Sequence, residues 1–118
     1  MPMVNTPKSK TPLGALPMLI LRVLQSNSLH GYAIAQRIQQ VSKEALQIQQ
    51  GSLYPALHRL ENKNVLVAEW GPTESGREAK FYQLTAKGRT QLKTETESWD
   101  RLTEIVGMIL KNPQGESA

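Results

Sequence analysis

The chain of 118 residues has no cysteine and two histidines. A disulfide framework is therefore excluded, and a structural zinc site lacks its usual thiolate and imidazole donors. The missing cysteines suit a reducing cytoplasm, which is the expected location. Long hydrophobic runs are missing as well. The longest, Leu13–Leu21, is closed by Arg22 and is too short to cross a bilayer. Lys8 and Lys10 precede it in the manner of a secretory leader, yet no small-residue cleavage site follows. The reading is a soluble chain with no membrane partner. Catalytic signatures are absent too: no HExxH, no nucleophile elbow, no phosphate-cradling glycine loop and no paired carboxylates. Glu95, Glu97, Asp100 and Glu104 cluster mostly on the outer surface of a predicted last helix, a solvated face. An enzyme is not expected, and no cofactor or metal is implied.

What the chain does have is positive charge, unevenly spread. The net charge is +4 with a pI near 9.6. Residues 1–64 hold seven Lys and Arg against Glu44 and Glu61, whereas residues 65–118 hold seven against eight acids. The first half is the one suited to a polyanion. The length fits one domain with one extra helix beyond its core.

Apolar spacing supplies the elements. Leu16, Leu19, Ile20, Val23 and Leu24 recur at helical intervals, with Pro17 in the first turn, where backbone N–H groups lack intrahelical partners. "SNSLHG" breaks the pattern, and a second helix is expected from about Tyr32 to Ser42, with Ile34, Ile38 and Val41 on one face. "ALQIQQG" alternates as a short strand or extended connector. "GSLYPALHRLE" carries Leu53, Leu57 and Leu60 on a helical stripe. "NKNVLVAEWG" and "REAKFYQLT" flank "GPTESG" as a hairpin. Thr85 is a plausible N-cap for a last helix from about Ala86 to Leu110. Its Leu92, Trp99, Leu102, Val106 and Ile109 form a coiled-coil-like seam.

Three short helices, a hairpin and a long striped helix spell a mainly α winged helix-turn-helix followed by a dimerisation helix. The expected division is a disordered arm over 1–12, a DNA-binding domain over 13–85, a dimerisation helix over 86–110 and a disordered tail over 111–118. Pro55 challenges the third helix, because proline breaks helix interiors. The conflict disappears if Ser52 is the N-cap, since Pro55 then falls among the first three helical positions and forfeits no bond. Tyr54, as the residue before proline, is still biased away from helical angles, so some local strain or a tight first turn is expected.

That placement puts Ser52, Tyr54, Pro55, His58 and Arg59 off the leucine stripe, at the end of the helix that enters a major groove. Arg59 can fork onto guanine or phosphate, hydroxyls of Ser52 and Tyr54 can reach phosphates, and Pro55 can meet a thymine methyl. Arg77 and Lys80 flank the hairpin loop and can reach phosphates or a minor groove. Plainer readings stand beside these: His58 as an idle surface histidine, Tyr54 as a core wedge, and the loop as a solvated turn with Glu74 and Glu78. Lys8 and Lys10 are either a basic arm or part of an inert tail.

The segments "LPMLILRVL", "LHGYAIAQRI", "GSLYPALHRLE", "AEWG", "GREAKFYQLTAKGR" and "ESWDRLTEIV" resemble the PadR family of transcriptional regulators, from about Leu13 to Leu110, in its shorter form. The resemblance implies a homodimeric winged-helix repressor on a pseudo-palindromic DNA operator, often its own promoter and that of a neighbouring gene. It implies DNA contacts at Ser52, Tyr54, Pro55, Arg59, Arg77 and Lys80, with Tyr32 of "HGY" near the DNA-facing side. Pro17 and Ser75–Gly76 depart from the family pattern, the first bearing on where the first helix begins and the second on the wing tip. On the long helix, Trp99 is either a plain interface aromatic or, with its mate, the wall of a pocket for a planar hydrophobic effector. A winged helix that binds protein instead of DNA is the competing reading.

Overall fold

In the computed structural model, which describes residues 14–115, each helix begins where the local chemistry of its first turn allows. Helix α1 (Leu16–Val23) has Ala15 as N-cap and carries Pro17 at its second position, so the proline costs no hydrogen bond. Helix α2 (Gly31–Val41) is capped by His30, whose Nδ1 accepts from Ala33 N–H at 3.3 Å. It ends in a Schellman turn: with Lys43 at a left-handed φ of 55°, Glu44 N–H bonds Gln39 and Lys43 N–H bonds Gln40. Val41, expected on the inner face, is instead 70% exposed, because the chain is already turning away there.

Helix α3 spans Gln50–Asn62, which corrects the expected start at Ser52. Its N-cap is Gln49, which lends no side-chain bond. The Gln49 carbonyl accepts from Ser52 and Leu53 N–H at 3.0 and 2.9 Å. Pro55 is therefore the sixth helical residue and does remove one bond, the one Gly51's carbonyl would receive from it. Gly51 is exposed, so water can serve that carbonyl. A second Schellman turn ends α3, with Asn64 left-handed at 63° and Val65 N–H returning to Leu60 at 3.2 Å.

The hairpin consists of β2 (Leu66–Pro72) and β3 (Glu78–Leu84), paired antiparallel from Leu66 opposite Leu84 to Pro72 opposite Glu78. A third strand escaped the sequence reading. It is β1 (Leu29–His30), inside "SNSLHG", and it pairs with the free edge of β3, giving the order β1-β3-β2. Two residues are too few to show an alternation, and their partner is more than fifty positions away. "ALQIQQ" is the extended connector of the two options, with Ile48 turned into the core and Leu46 partly buried against it.

Ile20, Leu21 and Leu24 meet Ile34, Ile38, Leu53, Leu57 and Leu60, and the sheet closes over them with Val65, Leu66, Tyr82 and Leu84. Helix α4 (Ala86–Lys111) adds Leu92 and then leaves this core. Its N-cap is Thr85, which accepts from Gly88 N–H at 3.0 Å, as the sequence suggests. It runs one residue past the expected end, and Asn112–Gly115 make a turn. The arm over 1–12, with Lys8 and Lys10, lies outside the described residues, as do residues 116–118 of the tail.

Candidate nucleic-acid interface

The stripe Leu53, Ala56, Leu57 and Leu60 commits one side of α3 to the core and so dictates what the other sides present. At about 100° per residue, Gly51, Pro55, His58 and Asn62 point straight out. Tyr54 and Glu61 flank them on the wing side. Ser52, Arg59 and Lys63 flank them on the side of α1 and α4. Arg59 belongs to the last turn of the helix and, with Lys63, borders a hollow shared with Pro17, Gln91 and Glu95. It is thus well separated from the helix tip.

On the wing side the sequence motifs "HGY" and "SLYP" interlock. Tyr54 is 42% exposed, and its ring lies over Gly31. A β-carbon at Gly31 would sit 2.7 Å from Tyr54 Cε1, so glycine lets the ring lie where it does, and any other residue would make it shift. Tyr54 is therefore neither a core wedge nor a free side chain; it is braced against the start of α2. His30 meets Phe81 edge-on at 5.3 Å, which ties that start to the sheet. Tyr32, at the next position, is exposed.

Tyr32, Tyr54, Arg77 and Lys80 line one open cleft of about 470 Å³ between the helix tips and the wing, together with Trp70, Tyr82 and the exposed Glu78. Ser52, Pro55, His58 and Arg59 lie outside it, on the outward face and far flank of α3. Arg77 closes the wing loop through its backbone: its carbonyl accepts from Thr73 N–H at 2.7 Å and from Thr73 Oγ1 at 3.0 Å. Its exposed guanidinium makes no ion pair among the described residues. Gly76 takes the positive φ of 89° that the loop needs.

Lys80 differs from the expectation of a cation beside the loop. It sits within β3 opposite Trp70, donates to Glu61 Oε1 at 3.0 Å, and lies 5.6 Å from the centre of the Tyr82 ring. The Glu61 carboxylate holds its ammonium above the usual value, while burial pushes the Tyr82 phenol up. Lys80 thus links α3 to the wing. Residues that the sequence reading missed are Gln50, which joins the exposed helix tip once α3 starts earlier, and Trp70. Trp70 follows Leu66 and Ala68 at alternate positions of β2, a signal visible in "VLVAEWG".

Along α4, Trp99, Leu102, Val106 and Ile109 are all exposed, with Met108 and Leu110 beside them. Trp99 and Leu102 border a hollow of about 170 Å³ against Met18 of α1. Among the described residues no group of side chains could hold a metal ion, and no helix is long and apolar enough to cross a membrane.

Three helices, a hairpin wing and a third strand closing the sheet define a winged-helix regulator. Residues 20–94 match the family model described as the transcriptional regulator PadR-like family, and the chain belongs to that family. Its members are regulators of transcription and not enzymes. Over 94 residues the chain is 33% identical to a transcriptional regulator of Mycobacterium tuberculosis, covering 79% of this chain and 84% of that one. The fold superposes on a PadR-like transcription factor from Bacteroides fragilis with a TM-score of 0.68 at 33% identity, covering 81% and 90% of the two chains. A PadR family regulator from Clostridium difficile gives 0.70 at 27% identity, covering 82% and 99%.

Proposed function

We propose that the protein is a cytoplasmic, homodimeric repressor that binds a pseudo-palindromic operator in double-stranded DNA, at its own promoter and that of a neighbouring gene. The carrying observation is the continuous strip made by the tip and outward face of α3 together with the cleft beside the wing. It offers hydroxyls, an apolar proline and the guanidinium groups of Arg59 and Arg77, which make no ion pair among the described residues; its carboxylates are Glu61, engaged by Lys80, and the exposed Glu78 beside Arg77 at the wing. Ser52, Tyr54, Pro55 and His58 face the bases and nearest phosphates. Arg59, at the far end of the helix, and Arg77 and Tyr32, beside the wing, grip the backbone. Lys80 braces the wing against α3.

The seam of α4 joins two such chains about a two-fold axis, setting the recognition helices roughly 34 Å apart, one turn of DNA. A planar hydrophobic effector enters between the two Trp99 rings and relieves repression by favouring another spacing of those helices. The test is a gel shift on the protein's own promoter across a salt series. Affinity should fall steeply and linearly in log–log form as phosphates are neutralised. Arg59→Ala should weaken binding by about 1–3 kcal/mol and lower the salt slope by about one. A salt-independent interaction, or none, would favour the protein-binding reading.

A further inference from the structure

Trp70 is 68% exposed, an unusual position for the largest side chain of a small domain. Its place follows from the alternation of β2. Leu66, Ala68 and Trp70 share one face; Leu66 is in the core, Ala68 packs against it, and Trp70 is the first member beyond its edge. On β3 the matching residues are Leu84, Tyr82 and Lys80. The indole therefore overhangs the cleft between wing and helix tips, where Tyr32, Tyr54 and Arg77 also converge.

We infer that Trp70 is a DNA-backbone contact: its ring packs on a deoxyribose of the strand that runs between wing and recognition helix, and its N–H donates to an adjacent phosphate. This rests on the DNA-binding reading above and adds to it a residue and a kind of contact. The cleft presents the two chemistries that alternate along a nucleic acid strand. Arg77 and the tyrosine hydroxyls suit phosphate oxygens, and an exposed indole face suits the apolar side of a sugar; Glu78, at the wing end of the cleft, is the one lining carboxylate that a phosphate there has to avoid. The indole carries a donor and no acceptor, which fits an anion. A stripe of such aromatics without cations would have suited a protein partner instead. Because the contact is to the backbone, it should be indifferent to sequence.

The experiment uses the full chain with Trp99→Phe, so that Trp70 is the only indole, and a fluorescein-labelled duplex of mixed sequence, about 24 base pairs, at low salt. Anisotropy of the label measures binding, and Trp70 emission is followed in parallel with the same duplex unlabelled. On saturation, Trp70 emission should shift to the blue or be quenched. In the otherwise natural chain, Trp70→Ala should raise the Kd about fivefold to tenfold, with Trp70→Phe between it and the parent. The salt slope should be unchanged, because no counterion is released by an uncharged contact. Arg77→Ala is the contrast and should lower that slope. Since Trp70 is exposed, circular dichroism should confirm that both Trp70 variants fold. If the duplex binds but emission does not move, or if Trp70→Ala binds within twofold of the parent, the inference is overturned and the DNA reading stands. If the parent does not bind the duplex at all, both fall together.

Discussion

Gly88 marks a place where backbone meets backbone. A β-carbon there would lie 2.1 Å from the carbonyl oxygen of Val65 and 3.1 Å from its carbon. That carbonyl is already engaged, accepting from Thr85 N–H at 3.2 Å. The Thr85 hydroxyl in turn donates to Asn64 O at 2.7 Å while receiving Gly88 N–H. Four residues thus knot the end of α3 to the start of α4, and none of the atoms involved can swing aside as a long side chain would. Gly88→Ala should therefore destabilise the fold by about 3 kcal/mol, at the upper end of overpacking costs, read as a lower urea midpoint with unchanged slope. A loss under 1 kcal/mol would mean that α4 can shift on the body without penalty. The capping half of this knot was legible, because threonine before a helix accepts its first free N–H groups. The glycine half was not, since its reason is a neighbour more than twenty residues away. Gly31 was hidden for the same reason of distance, although its neighbour is a side chain: "HGY" could be seen as a motif, but only the Tyr54 ring over it shows what the middle residue makes room for.

Among the elements, α3 was legible in its face and not in its start. The leucine stripe required only periodicity. The start was drawn toward Ser52 because serine is a good cap and because that placement spares Pro55. The chain instead opens the helix at an uncapped Gln49 and accepts one missing bond at an exposed glycine, a small cost that sequence rules weigh too heavily. The wing was legible from its turn residues, yet its attachment to α3 was not, because Lys80 reads as one more surface cation. Its pair with Glu61 is about one-third exposed on both sides, so its own energy is small, about 0.5 kcal/mol. The consequence is geometric: the pair ties β3 of the wing to the last turn of α3. Glu61→Gln and Lys80→Met should each weaken duplex binding modestly and to similar degrees. The double variant should be no worse than either, the mark of two residues acting as one strut. Tighter binding by Glu61→Gln alone would instead assign Lys80 to a phosphate, freed once its carboxylate is gone.

For the whole molecule the governing fact is that α4, at about 39 Å, runs on well past Leu92, its last residue in the core. Only Gly88 and Leu92 of its 26 residues are buried. Helices in proteins draw most of their stability from packing an apolar stripe, and beyond Leu92 most large apolar residues of this one are exposed. Trp99, Leu102, Val106 and Ile109 are that stripe, and the proposed two-fold partner is what would cover it. That these residues share one exposed stripe was legible from spacing alone, since heptad-like recurrence needs no tertiary knowledge. How the helix leaves the body was not, because that depends on the Thr85–Gly88 knot. Placing acids on the seam should separate folding from assembly. If α4 forms the proposed seam, Leu102→Glu with Val106→Glu would bring four carboxylates together between the two chains. Sedimentation should then report a monomer, while the winged-helix core, built without these residues, keeps its secondary structure. Operator affinity should fall about a hundredfold or more, because the second half-site no longer benefits from being tethered to the first. Retention of a dimer by the double variant would show that two chains meet through some other surface, and the spacing of roughly 34 Å between recognition helices would have to be sought from that surface instead.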